Sequence, residues 1–328
     1  MIRSLKFLQV NLHKSENVHH ALHNDEALQD FTAILGQEPN SFMDRGKVVV
    51  PGTGSSWICF TPPPRTDNIW PPVRSCIWIR RDTTAVQLHI ACADITAAAV
   101  TIGQRRILVA SVYIPPTHAV GLSSSQSQEH MCASLQLLHS LIERETSSRP
   151  ETEVVVAGDF NRHDALWGGA RVGETNRQGE AMPIIEFMDQ HGLQSLLEPG
   201  VATFQKGRSE TTIDLSLASP WLASNMLRCT TWHDNYGSDH EAILTEFDVA
   251  EEVEQPEARL LIKHAQWPKV REEVAATLRQ NDLLNSRNVD EIEARITQIA
   301  HEALARHCPR AKPSPYACLL YTSPSPRD

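Results

Sequence analysis

Short apolar runs dominate the first 248 residues and read as strands separated by a few helices. Leu5–Asn11 (LKFLQVN) and Phe31–Glu38 (FTAILGQE) are strand-like, the second stopped by Pro39. Between them, Glu16 to Leu28 is polar and reads as a helix; His13, just before it, and His19, His20 and His23 within it form a polar cluster that reads as a solvated helix face. The stretch VVVPGTGSSWICFTPPPRTDNIWPP, rich in Pro and Gly, reads as loops. Strands recur at Ser75–Arg80, Ala85–Ala91, Ala97–Ile102 and Arg106–Ile114. Met131, Leu135, Leu138 and Ile142 at helical spacing predict a helix over Gln126–Glu145. EVVVAG (Glu153–Gly158) is a buried-type strand, Pro183–His191 a further helix, and short strands follow at Ala202–Gln205, Thr211–Leu217, Arg228–His233 and Glu241–Phe247. Strands outnumber helices, and the helices fall between strand groups. The expected class is α/β: a four-layer sandwich of two packed mixed sheets flanked by helices.

Beyond this domain (1–248), residues 249–257 (VAEEVEQPE) read as an acidic linker. Residues 258–310 carry Trp267, Val270, Val274, Leu278 and then Ile292, Ile296, Ile299, Leu304 at helical spacing, which predicts two helices. The terminal CLLYTSPSPRD (318–328) resembles an in-frame translation of a sequencing-library adaptor and is set aside from the fold. The chain is therefore expected to be a fragment of a longer protein.

Composition narrows the class. The 328 residues are 41% hydrophobic and 21% charged, enough apolar material for a sizeable core. No apolar run approaches the ~20 residues of a membrane span, and the amino terminus lacks the apolar core of a signal peptide, so an intracellular protein is expected. A net charge of -10 argues against a globally basic nucleic-acid binder, although metal-assisted phosphodiester chemistry needs acidic ligands. The seven cysteines are scattered with no C-x-x-C pair, which excludes a zinc knuckle and fits a reducing compartment.

The candidate chemistry sits at strand ends: Asn11, Glu38 (in GQEP), Tyr113 (in SVYIPP), Asp159 and Asn161 (in GDFN), Asp214 (in TTIDLSL), and Ser238, Asp239 and His240 (in GSDH). Each alone has a bland reading. An Asp after an apolar strand is commonly a turn or cap residue, and a strand Tyr is commonly core. Together they differ, because polar residues at the same end of several strands converge on one crevice. A Glu, an Asp and an Asn form a hard oxygen site suited to Mg²⁺, and a histidine oriented by a carboxylate can meet a phosphate.

In order, QVN, GQEP, SVYIPP, GDFN, TTIDLSL and GSDH resemble the endonuclease/exonuclease/phosphatase superfamily, over roughly residues 5–248. The extended text GDFNRHDALWGG is most similar to the apurinic-like endonuclease domains of non-LTR retrotransposons. The resemblance implies a DNase I-like fold and a Mg²⁺-dependent DNA endonuclease, with Mn²⁺ as a substitute ion. Its nick would leave a 3′-hydroxyl that primes reverse transcription. It also implies DNA as the partner, element RNA and a reverse transcriptase in cis, no membrane, and action in the nucleus. By the same resemblance Glu38, Asn11 and Asp239 would hold the metal. Asp159 would position or deprotonate the attacking water, with Asn161 helping to hold it. His240, oriented by Asp214, would contact the scissile phosphate, and Tyr113 would donate its hydroxyl there. Ser238 and Thr203 match positions near the substrate.

His13 stands where many repair members carry an Asp, which argues against a dedicated repair enzyme. His163-Asp164 replaces a His-His of some relatives and receives no role. The same residues would equally serve an apurinic repair endonuclease or a lipid or inositol phosphatase, and an inactive remnant is the remaining alternative. Target choice is expected to lie in surface loops, with Gly52–Pro72 and Gly168–Gly179 as candidates for DNA contact.

Overall fold

The computed structural model describes residues 4–51, 56–66, 70–118, 123–172, 179–207, 209–249, 260–280 and 289–309. It divides into Met1–Ala250 and Glu251–Asp328. In the first unit the strands are β1 (Ser4–Asn11), β2 (Ala33–Gln37), β3 (Phe42–Asp44), β4 (Lys47–Val49), β5 (Trp57–Phe60), β6 (Ser75–Arg80), β7 (Thr84–Leu88), β8 (Ile95–Ile102), β9 (Arg105–Tyr113), β10 (Glu153–Asp159), β11 (Gln194–Ser195), β12 (Phe204–Lys206), β13 (Ser209–Thr211), β14 (Asp214–Ala218), β15 (Met226–Thr231) and β16 (Ile243–Asp248). The helices are α1 (Glu16–His23), α2 (Ser124–Ser148), α3 (Ala165–Gly168), α4 (Met182–His191) and α5 (Pro220–Ser224).

Two six-stranded mixed sheets form, ordered β15-β16-β1-β2-β6-β5 and β11-β14-β10-β9-β8-β7. Within them β1–β2 and β9–β10 run parallel and the other pairs antiparallel. Strand alternation gives each sheet two apolar faces. Leu5, Phe7, Ala33, Leu35, Ile77 and Ile79 of the first sheet meet Ala98, Val100, Ile107, Val109, Val155 and Ala157 of the second. The outer face of the first sheet, with Leu8, Val10, Ile34 and Trp78, is covered by Val18 and Leu22 of α1. The outer face of the second is covered by Met131, Leu135, Leu138 and Ile142 of α2 and by Ile184, Phe187 and Met188 of α4. This is the expected four-layer α/β sandwich, two mixed sheets packed face to face and flanked by helices.

Several local expectations are corrected. The Pro/Gly-rich stretch read as loops contains β5, because Trp57–Phe60 pairs with β6; four residues among prolines carry too short an alternation to show this. The helix expected over Glu16–Leu28 stops at His23 and resumes as a 3-10 turn over Glu26–Asp30, capped by Asp25. Helix α2 is longer than expected, because Ser123 and Gln126 form a capping box at its start. The histidine segment is not uniformly solvated. His19 is buried, and the rings of His19 and His23 stand edge-on to Trp78 at 5.7 and 5.0 Å, because one helical turn places both on the side of α1 that faces the sheet.

In the second unit α6 (Trp267–Gln280) and α7 (Val289–His307) pair as two helices, with Val270, Ile299 and Ala303 buried and His307 Nε2 at 2.5 Å from Glu273. Nearly all of the acidic linker and all of residues 318–328 lie outside the described residues. Among the described residues no helix is long and apolar enough to cross a membrane.

Candidate active site

The strands whose inner faces are apolar at one end turn polar at the other. On β1, Leu5 and Phe7 are followed in the same alternation by Gln9 and Asn11; on β2, Ala33 and Leu35 by Gln37; on β9, Ile107 and Val109 by Ser111 and Tyr113; on β10, Val155 and Ala157 by Asp159. At that end the sheets are joined by hydrogen bonds. Gln9 Nε2 donates to Asp214 Oδ1 (2.9 Å), Gln37 Nε2 to Ser111 Oγ (2.9 Å), and Asn11 Nδ2 to Asp159 Oδ2 (3.0 Å). Hydroxyl pairs Ser75–Thr96 and Ser216–Thr245, each at 2.8 Å, extend the contact.

Register then sets the cluster. Asp159 lies directly opposite Tyr113 on β9 and Asp214 on β14. His240 Nδ1 is 2.8 Å from Asp214 Oδ2, and its Nε2 is 3.9 Å from Asp159 Oδ2. One ligating atom from each of Asp159, Asp214 and His240 lies within 4.8 Å of the others, and all three residues are buried. Burial pulls the His240 pKa down, but Asp214, Asp159 and Asp239 outweigh it and raise the group to about 10. Burial pushes Asp159 up, reinforced by Asp214 and Glu38 and opposed by His240 and Asn11. Burial, then the charges of Glu38 and Asp159, hold the Tyr113 hydroxyl protonated, and it is hydrogen-bonded to Glu38.

The remaining residues form the rim and its supports. Glu38 follows β2, with Lys14 Nζ at 2.6 Å from its Oε1. Asn161 turns back so that its N–H donates to Asp159 Oδ1 (3.1 Å) and its amide to the Ile114 carbonyl (3.0 Å). Asp239 Oδ1 is 3.0 Å from His13 Nδ1, in contact with that ring but outside hydrogen-bond geometry. Ser238 donates to the Asn11 carbonyl (2.7 Å) and accepts from His240 N (3.2 Å). Thr203 is fully buried, and its hydroxyl accepts from the backbone N–H of Asp214 at 3.0 Å. His13, Lys14, Glu38 and Asn161 all have φ near +50°, sparsely populated for residues with side chains; the loops ending β1, β2 and β10 hold them there.

Four supporting residues escaped the sequence reading. Gln9 and Gln37 lie within strands that read as apolar; the alternation that puts them in step with Phe7 and Leu35 is the signal that marks them. Arg162 is fully buried, donating to the Pro115 and Asn161 carbonyls (2.8 and 3.0 Å) and so pinning the GDFN loop. Arg74 lies 5.1 Å from the Tyr113 ring centroid and pairs with Asp94, which no local pattern marks. His163-Asp164 divides plainly: Asp164 caps α3 through the Leu166 N–H (2.8 Å).

Residues 107–244 match the endonuclease-reverse transcriptase family. The matched stretch contains SVYIPP, GDFN, TTIDLSL and GSDH, and QVN and GQEP precede it. The resemblance read from these motifs holds. Solved structures of this fold include the endonuclease domain of TRAS1, a telomere-specific non-LTR retrotransposon, at 17% identity and TM-score 0.58, covering 75% of this chain and 100% of that one. An AP endonuclease from Leishmania major aligns at 14% identity and TM-score 0.60, covering 76% and 89%. Another from Archaeoglobus fulgidus aligns at 14% and 0.54, covering 75% and 100%. No curated protein sequence matches the chain.

Proposed function

We propose that this chain carries a divalent-metal-dependent DNA endonuclease that nicks target DNA for a non-LTR retrotransposon. The observation that carries the proposal is the convergence of Asn11, Asp159, Asn161, Asp214 and His240 on one buried hydrogen-bonded cluster, with Glu38, Tyr113 and Asp239 around it. The family match and the retrotransposon endonuclease fold support the retroelement reading.

The donors at the rim fit a hard cation. Glu38, Asn11 and Asp239 would hold Mg²⁺, or Mn²⁺ in its place: two carboxylates and an amide oxygen are hard donors, and Asp239 Oδ1 accepts no hydrogen bond that the ion would have to displace. Bound there, the ion would neutralise charge on the phosphate. Asp159, its basicity raised by burial, would orient the attacking water and accept its proton, with Asn161 beside it. His240, held cationic by Asp214, would present its Nε2 proton to a phosphate oxygen as negative charge grows. Tyr113 would donate its hydroxyl toward the phosphate or leaving oxygen. Ser238 positions His240, and Thr203 positions Asp214. The products would be a 5′-phosphate and a 3′-hydroxyl, the latter a primer for a reverse transcriptase in cis that copies the element RNA.

The test is nicking of supercoiled plasmid by the full chain with Mg²⁺ or EDTA, beside His240→Ala and Asp159→Ala. Mg²⁺-dependent nicking that both substitutions abolish, with ends that a polymerase extends, supports the reading. A folded chain that leaves DNA intact but releases phosphate from lipid headgroups would replace it.

A further inference from the structure

On the outer face of the second sheet, two imidazoles and a carboxylate meet where α2 passes α4. His139 and Glu143 lie one helical turn apart on α2 and share a face. His191 is the last residue of α4. His139 Nδ1 and His191 Nε2 are 3.0 Å apart, and Glu143 Oε1 is 3.8 Å from His191 Nδ1. One ligand atom from each of the three lies within 4.8 Å of the others. The His191 side chain is only 4% exposed and its ring packs against Phe187 at 5.0 Å, whereas Glu143 is 55% exposed. The cluster is therefore rooted in the core and open on one side.

We propose that His139, Glu143 and His191 bind one zinc-type divalent ion that ties α2 to α4. Two nitrogens bound tetrahedrally to one ion at about 2.0–2.1 Å stand about 3.3 Å apart, close to the spacing seen. Two imidazoles and a carboxylate with an open fourth position suit zinc, cobalt or nickel and disfavour Mg²⁺. The site is remote from the cleft. His191 leads into β11, where Gln194 pairs with Ala218, and Ala218 pairs with Val155 at the other end of β10 from Asp159. An ion here stabilises the folded chain and takes no part in the chemistry.

The experiment uses the full chain stripped with EDTA and then titrated with Zn²⁺ in excess Mg²⁺, which competes for the oxygen donors of the cleft. Bound zinc and melting temperature are read together. One ion per chain is expected, with a melting rise of roughly 5–10 °C at a hundredfold excess over Kd. Both should be lost in His139→Ala and His191→Ala and kept in Glu38→Ala and His240→Ala. Should His191→Ala fail to fold, the partly exposed His139→Gln makes the same test. Zinc binding unchanged in the histidine variants, lost in Glu38→Ala instead, or absent at micromolar zinc would overturn the proposal.

Discussion

Gln9 donates its side-chain amide across the sandwich to Asp214, 2.9 Å away, while the other oxygen of Asp214 holds His240 at 2.8 Å. An uncharged strand residue thus anchors the carboxylate that orients the histidine. Gln9→Leu leaves Asp214 Oδ1 buried without this donor, which costs about 1–3 kcal/mol. Nicking should fall on the order of tenfold as His240 loses its fixed geometry. Urea unfolding and single-turnover nicking measure the two effects; unchanged values in both would show that the bridge contributes nothing.

Asp214→Asn keeps the side-chain shape but takes away the charge that raises His240 against burial. The His240 pKa should drop below its value of about 10, visible in an NMR titration of the ring, and nicking should fall by about 10²-fold or more. A titration unmoved by the substitution would remove Asp214 from this role.

His19 and His23 link stability to pH. Burial lowers each from the ordinary 6.5 to about 4. The folded state therefore disfavours their protonation more than the unfolded state does. Their contribution is complete above about pH 6.5 and is lost as pH falls toward 4. It amounts to no more than about 3 kcal/mol per ring. His23→Gln should flatten the fall in melting temperature between pH 6.5 and 4; an identical slope would contradict this assignment.

Gly158 sits in β10 next to the catalytic candidate Asp159. A Cβ built there falls 1.8 Å from the Val112 carbonyl oxygen of the paired strand. Gly158→Ala must push β9 and β10 apart, and destabilisation of about 3 kcal/mol or more is expected. A melting temperature within a degree or two of the unsubstituted chain would show that the strands yield easily.

Lys14 competes for Glu38, its ammonium lying 2.6 Å from Oε1. If Glu38 holds the metal, Lys14→Met should lower the Mg²⁺ concentration for half-maximal nicking several-fold, since a nearby positive charge no longer opposes the ion. An unchanged or raised requirement would place Lys14 on the substrate phosphate instead.

Periodicity alone determined the sandwich. Strand alternation in LKFLQVN and EVVVAG and helical spacing from Met131 to Ile142 are local properties, and each element must bury its apolar face. The order of QVN, GQEP, GDFN and GSDH likewise marked most of the candidate site before any contact was known. Only the tertiary structure decided what joins those motifs. Whether Gln9 is another core-strand residue or the anchor of Asp214 depends on which strand stands opposite it, a partner 205 residues away. The burial of Arg162, the pairing of His13 with Asp239, and the meeting of His139 with His191 depend in the same way on packing between distant elements. Local sequence sets which face of an element is polar; the sheet register and the crossing of helices set what that polar group meets.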